Sequence, residues 1–529
     1  MVAIGSQYDT RQNAKEYSLA LLEACQKLLS KRIPITSRSR VTDIQTVFLL
    51  ELLSKFRSRR ADVQISHRFR SLYGSFTHDR HWVSQNPLAV FNTLPPNPSR
   101  EALNKAYRFW VEHEARRRVL QAAFILDTQQ SALFGQQPVM LQQAFGDAKT
   151  RKFPQRTIDL PFPCDSQLWE TWRLEDWYRL ARNFKPCSLS SVAATLGTPG
   201  GLDTGSLDSF RTTLLLAYNI SSQAQHRGLE GSLGRFAQVL ESMLDVADGP
   251  SILRPSTSFS PYSCALFTYH ALLAARHTPV QALLTVSGES WLFNRKLPRE
   301  EEFRRAKRVL REWASDTENA RKAVWHAVRV LGYAVSGELD PVVQFAGQDQ
   351  PHVNVETGLS GRGTGYGHDT SGSQPVPTTA SLDGIFPGTQ GATATTTSSS
   401  PIPPSPLIML HSNWALYTSA LICWAYGFDI SVPDEASVSD NSHQQQNWPF
   451  ITTSDSARSY VSAMISLAPT TWEQLSHATI PATVRCDTRP LLEFVRTRRL
   501  QEGRMGGLLN EGERVLARLA ERKRGMWDF

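Results

Sequence analysis

The sequence predicts an all-α, multi-helical fold interrupted by one long, disordered Gly/Ser/Thr/Pro-rich linker. Three observations carry that prediction. Apolar residues recur at three- and four-residue spacing through most of the first 345 positions, the period of an amphipathic helix. Short β-branched runs closed by Asn-Gly or Asp-Gly turns are scarce. Between Ser371 and Pro406, 25 of 36 residues are Gly, Ser, Thr or Pro, which leaves too little apolar surface to offset chain entropy.

Ala14–Ser30 carries Tyr17, Leu21, Cys25, Leu28 and Leu29 at helical spacing. Asp43–Arg57 opens on an acidic cap candidate and continues through Ile44, Val47, Phe48 and Leu52. Glu101–Thr128 sets Tyr107, Val111, Ala115, Val119, Ala122 and Leu126 on one face. Similar stripes run through Ser209–Ile220, Ser232–Val246, Ser263–Arg276, Glu300–Ala314 and Glu318–Tyr333. Beyond the linker, Ile408–Tyr426 reads as a buried helix, and Ser456–Leu467 and Asn510–Lys523 as further helices, the last capped by Asn510. The expected organisation is a helical block over 1–345, a disordered linker over 346–406, and C-terminal helices over 407–529 that pack back on the block. A polar loop spans 429–455. Leu407–Phe428 is uncharged and long enough to cross a bilayer. His411, Ser412, Asn413, Thr418 and Ser419 are costly in hydrocarbon, so it reads as a core helix and no membrane partner is expected.

The chain has 529 residues and a formal net charge of +8. A basic excess of that size is compatible with an acidic partner but specifies none. Positions 363–457 contain no Lys or Arg against seven acidic residues. A solvated linker is the reading preferred there; an acidic segment with Trp448 and Phe450 that recruits transcription machinery is the other. The six cysteines, Cys25, Cys164, Cys187, Cys264, Cys423 and Cys486, form no C-x-x-C pair. They offer neither a disulfide framework nor zinc-ligand spacing.

No catalytic constellation is visible. The G-x-S-x-G elbow and the G-x-x-x-x-G-K-[ST] phosphate loop are both absent. His113-Glu114 lacks the second histidine of a zinc helix, since Arg117 stands in its place. Gly361, Gly363, Gly365 and Gly367 do not fit G-x-G-x-x-G. The chain is therefore read as no enzyme, with no catalytic, cofactor-binding, metal or DNA-binding residue of its own. His270 and His326 sit in apolar stripes, where a hydrogen-bonded core histidine is expected. Basic runs occur at Arg57–Arg60, Arg116–Arg118, Arg496–Arg499 and Arg522–Arg524. Glu114 and Arg118 stand in the favourable i,i+4 order for an ion pair, so the second run reads as structural. The last run reads as an import signal or a solvated helix end.

Phe109-Trp110-Val111-Glu112-His113-Glu114-Ala115-Arg116-Arg117-Arg118, with Ala122-Ala123-Phe124 and Asp127 after it, resembles the signature of the fungal-specific transcription factor domain, the middle homology region. So does Leu160-Pro161-Phe162-Pro163-Cys164, followed by Leu168-Trp169-Glu170. Asp43–Leu50, Tyr269–Ala271, and Trp313 through Ala327 are similar to other helices of the family, so the resemblance covers about 1–335. The Arg-Arg-Arg variant is similar to the form that follows two-cysteine, two-histidine zinc fingers. The resemblance implies a nuclear regulator of RNA polymerase II transcription with an all-helical regulatory domain. It implies DNA as a partner through a zinc-finger module, the transcription machinery or a related regulator as another, and allows a homodimer. This chain contains no such finger, so zinc is expected only in an upstream module and the chain reads as N-terminally truncated. Trp110, Glu114, Arg116, Arg117, Arg118, Asp127, Pro161, Pro163 and Trp169 are the signature residues, with a structural role expected. The alternative is a helical interaction or ligand-sensing module that acts without DNA.

Overall fold

A computed structural model describes residues 1–9, 11, 13–31, 35–57, 69, 71–72, 75, 86, 88–89, 94–95, 97–136, 160–195, 207–225, 263–288, 291–292, 295–296, 300–315, 318–335, 409–427, 453–469, 472–477, 485, 487–501 and 506–521. The expected helix Ser232–Val246, the linker over 346–406 and most of the polar loop lie outside them. So do the glycines 361–367 and the basic residues 58–60 and 522–524. Among the described residues the fold is helical. Its sheet content is one antiparallel pair, β1 (Trp291–Leu292) with β2 (Arg295–Lys296).

The chain enters as α1 (Val2–Gly5), a 3-10 turn (Ser6–Tyr8) and α2 (Ala14–Ser30). α3 (Val41–Arg57) starts two residues before Asp43, which sits in its first turn instead of capping it. The carboxylate still opposes the positive end of the helix dipole there. α4 (Arg100–Phe134) is the longest element, 35 residues or about 52 Å at 1.5 Å per residue. Ser99 Oγ accepts the Ala102 N–H at its start, and Gly135, in the left-handed region at φ 62°, ends it. It outruns the expected Glu101–Thr128 because Thr128, Gln129 and Gln130 interrupt the apolar pattern, yet all three are buried.

α5 (Ser166–Glu170), α6 (Leu174–Asn183), α7 (Leu189–Thr195) and α8 (Ser209–Gln225) follow. Then come α9 (Ser263–Arg276), α10 (Val280–Val286), α11 (Glu300–Ala314) and α12 (Glu318–Val335). The C-terminal elements are α13 (Ser412–Tyr426), α14 (Thr453–Leu467), α15 (Trp472–His477), α16 (Arg489–Phe494), a π-helical turn (Val495–Gln501) and α17 (Gly507–Glu521). α17 begins three residues before Asn510, so Asn510 is not its cap; its N–H donates to the Gly506 carbonyl. Gly506, at φ 154°, lies against the Arg57 carbonyl, where a side chain would collide with backbone.

Met1–Asp340 and Pro403–Phe529 form one compact unit. α13 packs on α12 and α9 and is buried on every side, which explains its apolar character all round. Trp414 stacks on Phe134 with ring centroids 5.0 Å apart, and its Nε1–H donates to the Leu133 carbonyl at 3.0 Å. The hydroxyls of Thr418 and Ser412 donate to backbone carbonyls within their own turn, so burial leaves both paired. No described helix is long and apolar enough to cross a membrane. A second, smaller apolar cluster gathers Leu88, Ala106, Trp110, Cys164, Leu168, Trp177 and Ala181. α4 contributes to both clusters.

Four arginines close helix ends. Arg485 donates to the carbonyls of Tyr426 at 2.7 Å and Ala314 at 2.9 Å, the last residues of α13 and α11. Arg458 reaches Val335 at the end of α12. Arg329 reaches Ala468 and Pro469 just past α14, and Arg57 reaches Leu410 just before α13. Tyr426, Ala314, Val335, Ala468 and Pro469 lie at helix C-termini, which leave carbonyls unpaired and carry partial negative charge, so a cation is the partner they favour; Leu410 precedes α13, and there Arg57 pairs a buried carbonyl outside the helix.

Candidate functional site

Prolines 161 and 163 exclude helix from the residue before each, so Leu160–Cys164 runs extended. An extended buried segment must find partners for its backbone outside itself. α4 supplies them from positions 114, 118 and 121, one face at helical spacing. Glu114 Oε1 accepts the Cys164 N–H at 3.1 Å. Arg118 Nη2 donates to the Cys164 carbonyl at 3.0 Å, and Gln121 Nε2 donates to the Pro161 carbonyl at 2.7 Å. The other edge is held by the start of α7. The Phe162 N–H donates to the Cys187 carbonyl at 2.9 Å, and the Leu189 N–H donates to the Leu160 carbonyl at 2.8 Å.

The remaining signature residues surround this strap. Arg118 lies 3.4 Å from Glu114, with its guanidinium 4.4 Å from the Trp169 ring. Trp110, 1% exposed, packs against Trp177 at 5.6 Å and Trp169 at 6.0 Å. Arg116 is buried, donates to the Ser37 carbonyl and pairs with the exposed Glu112 at 2.8 Å. Arg117 is buried too, and loss of hydration holds its pKa below the usual arginine value against the pull of Glu114. Burial, with Glu114 adding to it, pushes the Cys164 thiol up, so it stays protonated and inert at neutral pH. Asp127 stands apart from the strap. It is buried near Lys55, whose ammonium burial pulls down to about 7 while Glu51 and Asp127 favour its charge. Trp177, Gln121 and Arg211 were not singled out from sequence. Arg211 pairs with Asp165 and stacks 4.8 Å over Phe162, joining α8 to the strap.

A second polar feature is buried between α9 and α12. His270 Nδ1 and His326 Nδ1 are 2.9 Å apart. One ring must donate and the other accept, so each histidine is the partner the other needs. Burial depresses both pKa values; Arg329 adds to the effect on His270, and His270 to that on His326. Among the described residues no group of three or more His, Cys, Asp or Glu could hold a metal ion.

The strap and the arginine face that holds it lie within one matched region. Residues 1–246 match the fungal specific transcription factor domain. That match includes every signature residue and stops short of the 335 positions over which the resemblance was traced. The domain's helices do not close a core alone, because α4 and α8 pack on α9, and α4 also packs on α13. No curated protein and no solved structure matches the chain.

Proposed function

We propose that the chain is the regulatory, non-DNA-contacting part of a fungal zinc-finger transcription factor that controls RNA polymerase II transcription in the nucleus. The transcription factor domain over 1–246 supports the regulatory role. The observation that carries the non-contacting part is the state of the signature arginines. Arg116 and Arg117 are each 6% exposed, and Arg118 is engaged by Glu114, Cys164 and Trp169. Side chains committed to protein groups are not free to neutralise phosphates, on which duplex binding depends. DNA enters through a zinc-finger module that this chain does not contain, and zinc with it.

Two measurements test the reading. Titrating labelled duplex DNA with the chain is expected to give weak binding that falls steeply with salt and shows no sequence preference. Tight, sequence-selective binding in physiological salt overturns the non-contacting assignment. Fusing the chain to an unrelated DNA-binding module is expected to change transcription of a reporter carrying that module's site. A fusion that is expressed and nuclear yet leaves the reporter unchanged overturns the regulatory role.

A further inference from the structure

The chain exposes its large apolar side chains unevenly. Of the eight such side chains among the described residues, four lie within the first 17 positions: Met1, Val2, Tyr8 and Tyr17. Their backbones meet at one contact. Gln7 Nε2 donates to Ser18 Oγ at 2.7 Å, and Ser18 Oγ donates to the Ala3 carbonyl. Tyr8 adjoins Gln7 and Tyr17 adjoins Ser18, so each ring is rooted one residue from that hydrogen bond. The two tyrosines are 40% and 69% exposed. Scattered exposed apolar residues need no explanation, but a concentration at one place marks an interaction surface.

The course of the chain says what covers it. Arg57 Nε donates to Gln7 Oε1 at 3.2 Å, and Arg57 Nη1 donates to the Leu410 carbonyl at 2.8 Å. One guanidinium therefore holds both the N-terminal turn and the residue at which the chain returns from the linker. Just before Leu410 stand Pro403-Pro404-Ser405-Pro406, and the compact unit already includes Pro403. Four residues separate Pro406 from Leu410, at most about 14 Å, so the proline run ends beside Tyr8. A P-x-x-P run favours polyproline II, whose carbonyls make no internal hydrogen bonds and whose rings suit aromatic faces. A tyrosine pair offers both flat rings for the prolines and O–H donors for those carbonyls. Pro403–Ile408 carries no charge, so ring contact and hydrogen bonding carry the recognition.

We propose that Val2, Tyr8 and Tyr17 form a polyproline II-binding face whose occupant is this chain's own Pro403–Pro406. The proline run is pre-set in the bound conformation, so docking costs little chain entropy. It pins the end of the linker to the N-terminal helices where α13 begins. Because the occupant is tethered, its effective concentration is about 1 mM, and a proline-rich segment from another protein must compete with it. The proposal does not rest on the transcriptional reading.

The test uses the full chain and a fluorescent peptide that copies residues 400–409. An effective concentration of about 1 mM against a peptide dissociation constant of about 100 μM weakens the peptide about tenfold. Pro403→Gly/Pro406→Gly in the chain removes that competition, so the peptide is expected to bind this variant about tenfold more tightly than wild type. Adding Tyr8→Ser/Tyr17→Ser abolishes the gain, with helical circular dichroism unchanged. In the otherwise wild-type chain, a benzophenone amino acid in place of Ser405 attaches on irradiation to residues 2–17 of the same molecule. Equal peptide affinity for wild type and Pro403→Gly/Pro406→Gly overturns the proposal, as does a gain that survives Tyr8→Ser/Tyr17→Ser. So does a photoproduct that joins two copies or lands on another surface.

Discussion

Glu114 holds three groups at once: the Cys164 N–H, the Arg118 guanidinium and, through the local field, buried Arg117. Glu112, two residues earlier, pairs with Arg116 and is 56% exposed. The same substitution should therefore differ at the two sites. Glu114→Gln is expected to destabilise the chain by about 1–3 kcal/mol, because a buried cation loses its counter-charge. Glu112→Gln should cost under about 1 kcal/mol; urea unfolding of the two variants checks the contrast. The buried histidines set a pH dependence. Both fold with pKa values below the ordinary 6.5, so the unfolded chain takes up their protons first. Their contribution to stability is then fully present above about 6.5 and is lost as pH falls below it. Urea midpoints at successive pH values should show this slope, and His270→Leu/His326→Leu should reduce it to the share left by His411, which burial lowers to about 4. The motifs of the strap were legible in the sequence, as was the i,i+4 pair of Glu114 and Arg118. That α4 grips the strap was not, because the partners lie 40 to 50 residues apart and no local pattern encodes that pairing. The same holds for His270 and His326, 56 residues apart, each of which read alone as a core histidine in want of a partner.

At the scale of elements, period was a sound guide where helices are amphipathic and a poor one at their ends. α12 and α9 were legible because their stripes repeat without interruption. The tail of α4 was hidden by polar residues that are nonetheless buried, and Asn510 misled because Leu508 and Leu509, buried immediately before it, already belong to α17. The arginines at helix ends change how the chain's basic composition is understood. Arg57, Arg329 and Arg485 direct charge at backbone carbonyls inside the fold, so part of the excess that suggested an external polyanion is used internally. Arg485→Met should leave the carbonyls of Tyr426 and Ala314 without this donor and cost about 2–4 kcal/mol. Thermal unfolding measures it. Arg489→Met, four residues on, serves as the control.

The whole molecule is closed by its C-terminal helices. Phe134 of α4 meets Trp414 of α13, Arg57 of α3 meets Leu410, and Trp325 of α12 donates to the carbonyl of Ala468 at 3.1 Å. Those contacts predict that the chain survives being cut. A protease site engineered between positions 371 and 406, once cleaved, should leave two pieces that co-elute on size exclusion and separate only in denaturant. Pieces that part in native buffer would contradict the packing. There is also a consequence in time. The ribosome finishes α12 at Val335 and does not begin α13 until Ser412. At roughly 5–20 residues per second, that interval lasts on the order of 4–15 s. During it Phe134, Leu133 and the faces of α9 and α12 have no α13 to cover them. The nascent chain must wait with its core open, which makes it a client for chaperones for as long as the C-terminal helices take to arrive.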